Sequence, residues 1–227
     1  MTRDPKPRDV REAPSYTFAD AARYLRVPAP TVRAWVVGLH YPKQRFQPLI
    51  HRPQEEDKRL SFTNLVEIHV LRALRTQHGI PMRAVREALG YSEREFKIHR
   101  LLVHKELAAA PGRLFLRRYG ELVELSKGGQ MALQAAFQNY LKAVVHDPEG
   151  VPIRLYPWIP NPFERASKRI FIDPRLGFGA PVAGQRAIST AVLASRVDAG
   201  ESVLAVAKDY GLESEEVEEA IRFERAA

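Results

Sequence analysis

Four basic side chains, Lys43, Arg45, Arg52 and Lys58, follow closely on a short segment in which Thr31 and Arg33 alternate with apolar residues. Guanidinium and ammonium groups in such a run suit the neutralisation of phosphate, a chemistry of binding rather than of bond breaking. A solvated charged loop would carry the same residues. Support for catalysis is weaker. The seven histidines, His40, His51, His69, His78, His99, His104 and His146, are scattered, and His99 and His104 stand five apart where a helical metal pair needs four. Carboxylates are sparse in the middle of the chain, so they do not form the clustered set that a divalent-metal nuclease requires. No Gly-x-Ser-x-Gly motif occurs. The glycine-rich GFGAPVAGQR satisfies neither the phosphate-loop nor the dinucleotide pattern. The expectation is a protein that is not an enzyme and needs no cofactor or metal.

The elements that must position these residues begin at Thr17. With Asp20 three positions on, Thr17 predicts a capping box and a helix starting at Phe18. Phe18, Ala21, Ala22 and Leu25 then recur at helical spacing, while Arg23 and Arg26 are expected to point elsewhere. Pro28 and Pro30 stop this helix and pre-set a second, in which Val32, Trp35 and Val36 face the first and Thr31, Arg33 and Ala34 face outward. Helix, tight turn and helix is the pattern of a DNA-reading module; an ordinary helical hairpin has the same spacing. Two short extended runs are expected next, Leu49 with Ile50, and Leu60 to Phe62, separated by a polar loop containing Pro53. A periodic helix over 64–77, a Gly79-Ile80-Pro81 break and an amphipathic helix over 82–89 follow.

The Thr31-Val32-Arg33-Ala34-Trp35 helix, the Arg59-Leu60-Ser61-Phe62 run and the Gly79-Ile80-Pro81 helix start resemble the MerR-type winged helix. This resemblance covers about the first ninety residues. It implies that Thr31 and Arg33 lie near bases or phosphates and that Arg59 is the arginine of the wing, with Lys43, Arg45, Arg52 and Lys58 along the flanking backbone. The chain departs from a purely basic wing at Glu55, Glu56 and Asp57, which phosphate would repel unless they sit at its tip.

Charge is distributed unevenly. Residues 1–60 carry twelve Lys or Arg against seven Asp or Glu, and residues 61–120 carry eleven against five. Residues 121–168 balance at five and five, and residues 169–227 reverse to seven against ten. The net charge of +8 and the pI near 9.8 therefore come from the front half, as expected of a nucleic-acid-binding unit. The absence of cysteine excludes disulfides and thiol catalysis, and no apolar run approaches a membrane span. A cytoplasmic location is expected.

Beyond residue 98 the pattern predicts a small hairpin from 114–118 and 122–125 around Tyr119-Gly120-Glu121, a helix over 130–145, a turn at 147–150 and a strand over 153–158. The proline-rich stretch that holds Trp158 and Phe163 is expected to be a linker or a docked extended segment. Three helices should close the chain, over 190–199, 202–210 and 214–225, with Ser202 and Ser214 as N-caps and Gly200 and Gly211 as stops. Ile172, Asp173, Pro174, Gly179, Pro181, Gly184, Arg186, Ile188, Thr190, Gly200, Glu201, Ser202, Ala207, Tyr210, Gly211 and Leu212 resemble a small prokaryotic family. Long labelled a domain of unknown function, it is encoded beside PIN-type toxins and acts as their antitoxin. Glu213, Glu215, Glu216, Glu218 and Glu219 crowd the last helix, so it suits a protein partner better than DNA.

The expected fold is mainly α with a small β wing or hairpin, an N-terminal winged helix-turn-helix joined to a C-terminal three-helix unit. Its divisions are a flexible basic arm (1–14), the winged helix (15–98), a mixed connecting segment (99–168) and the C-terminal unit (169–227). The two resemblances together imply a VapB-type antitoxin. Such a protein binds its own operator as a homodimer, neutralises a VapC-type PIN ribonuclease and has no membrane partner. An effector-sensing MerR-like regulator without a toxin is the alternative, and a structural adaptor is a third class.

Overall fold

The computed structural model describes residues 9–41, 44–54, 56–76, 82–108, 110–122, 124, 126–157 and 168–225. It is mainly helical with small antiparallel sheets. Helix α1 (Phe18–Leu25) starts where its capping box predicts: the Thr17 hydroxyl accepts the Asp20 amide at 3.0 Å, and the Asp20 carboxylate accepts the Thr17 amide at 2.9 Å. Left-handed Arg26 ends it. Helix α2 (Ala29–Val37) carries Pro30 in its first turn, where proline removes no needed donor, and buries Val32, Trp35 and Val36.

Strands β1 (Leu39–Tyr41) and β2 (Gln44–Phe46) pair directly after α2 as an antiparallel hairpin. This corrects the expected pairing. The Leu49 and Ile50 amides instead donate to the Trp35 carbonyl at 2.8 and 3.0 Å, and Leu60 bridges Tyr16 rather than the Leu49 run. Phe62 is already helical. Helix α3 (Phe62–Arg72) is capped by Ser61 with Asn64, two residues earlier than the predicted start, and extends as a 3-10 turn, Ala73–Thr76. All ten residues 62–71 are buried, which makes α3 the spine of the molecule. Gly79, Ile80 and Pro81 lie outside the described residues, as do Trp158 and Phe163.

Helix α4 (Met82–Phe96) is longer than predicted, and α5 (Ala110–Leu122) replaces the predicted 114–125 hairpin. Phe115, Leu116 and Tyr119 are buried at helical spacing, and this packed face overrides the local turn signal of Tyr119-Gly120-Glu121. Helix α6 (Lys127–Lys142) packs Phe137 against Phe115 with ring centroids 5.9 Å apart. Strands β3 (Val144–His146) and β4 (Pro152–Leu155) form a hairpin around the turn at Gly150, and the predicted 153–158 strand is thereby shortened. A Leu155–Ile172 bridge links it to the sheet of β5 (Ile170–Phe171), β6 (Val182–Ala183) and β7 (Ile188–Ser189).

Helices α7 (Thr190–Asp198), α8 (Val203–Tyr210) and α9 (Ser214–Arg225) complete the chain close to the predicted bounds. Ser202 caps α8 as expected. At α9, Ser214 is the first helical residue, and the Glu213 carbonyl accepts the amides of Glu216 and Val217. One continuous apolar core runs from Tyr16 to Phe223. The arm expected to be free to residue 14 is docked from Asp9: a 3-10 turn, Val10–Glu12, places Arg11 2.7 Å from Asp147, and the Thr63 hydroxyl donates to Glu12 at 2.6 Å.

Candidate nucleic-acid interface

Burial of Val32, Trp35 and Val36 sets the rotation of α2 and leaves Arg33 in solvent, with Thr31 half-buried beside it. Arg33 has no polar partner among the described residues. An exposed, unpaired guanidinium on the second helix of a helical pair is free to fork onto a phosphate or a guanine edge.

The other predicted contacts separate into two groups. Lys58 is exposed and has no partner among the described residues. Arg52 and Arg59 are engaged by the loop itself: Arg52 donates to the Asp57 carbonyl at 2.8 Å, and Arg59 pairs with the Asp57 carboxylate at 2.9 Å. Arg59 holds the Asp57 carboxyl below its ordinary value. Asp57 thus orders the loop and offsets one of its cations. Arg45 lies in β2, opposite His40, while Lys43 lies outside the described residues.

Arg23 and Arg26, expected to point away from the apolar stripe of α1, turn toward α9. Arg23 pairs with Glu224 at 2.6 Å, and Arg26 donates to the Phe223 carbonyl while lying over the Phe223 ring at 5.2 Å from its centroid. No local sequence signal marks these contacts, because their partners lie at the far end of the chain. The five glutamates of the predicted protein-binding face also divide. Glu213, Glu215 and Glu218 are exposed, and Glu216 is half-buried and accepts the Glu213 amide at 2.9 Å. Glu219 is only 3% exposed and faces Arg169 at 3.5 Å, so the acidic surface is smaller than predicted.

Two further polar arrangements are built into the fold. The turn after β5 is organised by buried Asp173, which accepts the Arg175 amide at 3.0 Å and its guanidinium at 2.8 Å, with Arg154 at 3.4 Å. Burial alone would raise the Asp173 carboxyl, but the Arg175 hydrogen bonds outweigh it and hold the group below its ordinary value. A cavity of about 230 Å³ opens between Leu49, His51, Glu67, Leu89, Glu93, His99, Arg100 and Leu102. There, buried Glu67 is gripped by Arg100 through two contacts of 3.1 Å and by Asn64 at 2.9 Å. Among the described residues no three His, Cys, Asp or Glu side chains gather as a metal would require. Nor is any described helix long and apolar enough to cross a membrane.

This arrangement has relatives. Residues 14–89 match the family described as "Putative DNA-binding HTH domain", and residues 170–223 match a protein family of unknown function, DUF433. The chain is 28% identical to a Mycobacterium tuberculosis protein named "Putative antitoxin VapB45", over 92% of this chain and 93% of that protein. A second protein of that organism, the uncharacterized Rv2308, is 23% identical over 92% of this chain and 89% of its own length. The crystal structure of Rv2018 from M. tuberculosis superposes with a TM-score of 0.65 at 24% identity, covering 92% of this chain and 98% of that one, and so shares the fold.

Proposed function

We propose that this chain is a DNA-binding antitoxin. Its helix α2 reads an operator upstream of its own gene, and its C-terminal half holds a VapC-type PIN ribonuclease inactive. The observation that carries the DNA half is Arg33, exposed and unpaired among the described residues on a helix whose opposite face is locked by Trp35. Lys58 extends the same basic character, and the charge of the front half supplies the sequence-independent part of the attraction. End-to-end similarity to a protein named as an antitoxin supports the toxin half. Exposed Glu213, Glu215 and Glu218 offer a surface for a basic partner. Dimerisation on a two-fold related site is the arrangement expected of such a reader.

Co-expression with the product of the neighbouring gene tests the toxin half. Restored growth supports it, and unrelieved toxicity refutes it. The second reading, an effector-sensing regulator without a toxin, is favoured by one observation, the cavity bounded by Leu49 and Glu67. Leu49 is tied to α2 through the Trp35 carbonyl, so a ligand there would bear on the reading helix.

A further inference from the structure

Arg86 is a half-buried cation with no carboxylate partner among the described residues. Glu87 beside it pairs instead with Arg118 at 3.4 Å, and burial, unopposed by an acid, holds the Arg86 guanidinium below its ordinary value. Ala84, Val85, Ala88 and Leu89 are buried, which fixes the rotation of α4 and keeps Arg86 at the edge of its packed face. Both arms of the guanidinium are engaged on backbone: Nη1 donates to the Pro48 carbonyl at 3.0 Å, and Nη2 donates to the Gln47 carbonyl. Desolvating a charge is costly, and a fork on two consecutive carbonyls gives geometric definition rather than neutralisation.

The segment held in this way fastens the end of α2. Strand β2 stops at Phe46, and Pro48 has no amide with which to prolong a ladder. The chain instead turns its Leu49 and Ile50 amides onto the Trp35 carbonyl, at 2.8 and 3.0 Å. Trp35 lies in the last turn of α2, where carbonyls lack a partner within the helix. The start of α2 has no such fastening, since Pro28 at its N-cap offers no side-chain hydrogen bond. The C-cap Gly38, at φ 83°, lies so close to the same segment that a Cβ there would run into the Phe46 carbonyl. A continuous set of contacts thus runs from α4 through 47–50 to Trp35, two residues beyond Arg33.

We propose that Arg86 is a positioning residue for operator recognition: its fork on Gln47 and Pro48 fixes the strap that holds the last turn of α2, and so aims Arg33. This role rests on the DNA-binding reading above. In it Arg86 acts through α2 and makes no contact with a base.

The test is a double-mutant cycle in the full-length protein, with affinity for the DNA upstream of its gene and for a scrambled duplex measured by titration. Arg86→Ala should weaken operator binding about tenfold and scrambled binding far less, which lowers the ratio of the two. In an Arg33→Ala background, Arg86→Ala should leave that ratio unchanged, because the side chain it aims is gone. Arg86→Lys keeps the charge but not the fork, and should discriminate the two duplexes as poorly as Arg86→Ala. Thermal melts establish that folded proteins are compared, and Arg86→Lys carries the cycle if Arg86→Ala unfolds. Wild-type discrimination in Arg86→Lys would make the charge itself the contact and overturn the positioning role. Equal losses from Arg86→Ala in the wild-type and Arg33→Ala backgrounds would also overturn it, as would a lowered melting temperature with discrimination intact. Wild-type affinity in Arg33→Ala, or failure of the wild type to prefer the operator, overturns the DNA reading itself.

Discussion

Arg23 and Glu224 meet at 2.6 Å across 201 residues of chain, one on the first helix of the helix-turn-helix and the other on the last helix of the molecule. The same carboxylate accepts the buried Thr190 hydroxyl at 2.5 Å, and the Tyr24 and Phe223 rings stand 6.4 Å apart beside it. The first helix of the helix-turn-helix is therefore packed on α9, and the acidic helix serves as its support.

Glu224→Ala should destabilise the protein by about 1–3 kcal/mol, because Thr190 loses its charged acceptor inside the fold. The Arg23–Glu224 pair itself is partly solvated, so a double-mutant cycle with Arg23→Ala should return a coupling of only about 0.5–1 kcal/mol. Denaturant titration of the four proteins measures both; a Glu224→Ala variant as stable as wild type would contradict the clamp.

The Tyr16–Gly179 contact predicts a reversal of the usual order of severity. Gly179→Ala places a methyl against the Tyr16 hydroxyl at a residue with φ 78°, and should cost about 2 kcal/mol or more. Tyr16→Phe removes a buried hydroxyl that has no hydrogen-bond partner among the described residues, and should be neutral or stabilising. Combined, the two changes should recover part of the loss seen in Gly179→Ala alone. Thermal unfolding of the three variants decides it, and strict additivity would contradict the contact.

His69 gives the fold a pH dependence. It is fully buried against Tyr140, its Nε2–H donating to the Tyr140 carbonyl at 3.1 Å, and burial lowers its pKa from 6.5 to about 3, with Arg72 adding to the shift. The folded state keeps the ring neutral while the unfolded chain protonates near pH 6.5. The associated stability is complete above pH 6.5 and declines as pH falls from there toward 3. His69→Gln keeps a donor and removes the titration. Its stability should fall less steeply than wild type between pH 6.5 and 5, as read by urea midpoints; parallel curves would exclude His69 as the source.

Much of this was legible from residue types, and what escaped has a common cause. The Thr17–Asp20 capping box and the apolar stripe of Val32, Trp35 and Val36 are local signals, and the start of α1 and the orientation of α2 follow them. The Ser202 cap fixes α8 in the same way. Residues 114–125 misled because a tyrosine and glycine imitate a turn, whereas Phe115, Leu116 and Tyr119 are held helical by packing on α4 and α6. The β1–β2 hairpin lies earlier than expected because the Leu49 and Ile50 amides are satisfied by Trp35 rather than by a partner strand. Arg23 and Arg26 take their meaning from contacts made by distant segments, which spacing along the chain does not encode. Burial of Glu219 escaped for the same reason, since its helix turns that side toward Arg169.

The central claim is that α2 reads the operator through Arg33. Titration of the upstream DNA with wild type and Arg33→Ala, at two salt concentrations and beside a scrambled duplex, tests it directly. Arg33→Ala should lose about 1–3 kcal/mol of binding to the operator, roughly ten- to a hundredfold, and much less on the scrambled duplex, with its fold intact because Arg33 is exposed. Equal operator affinity for the two proteins would contradict the assignment of α2 as the reading helix.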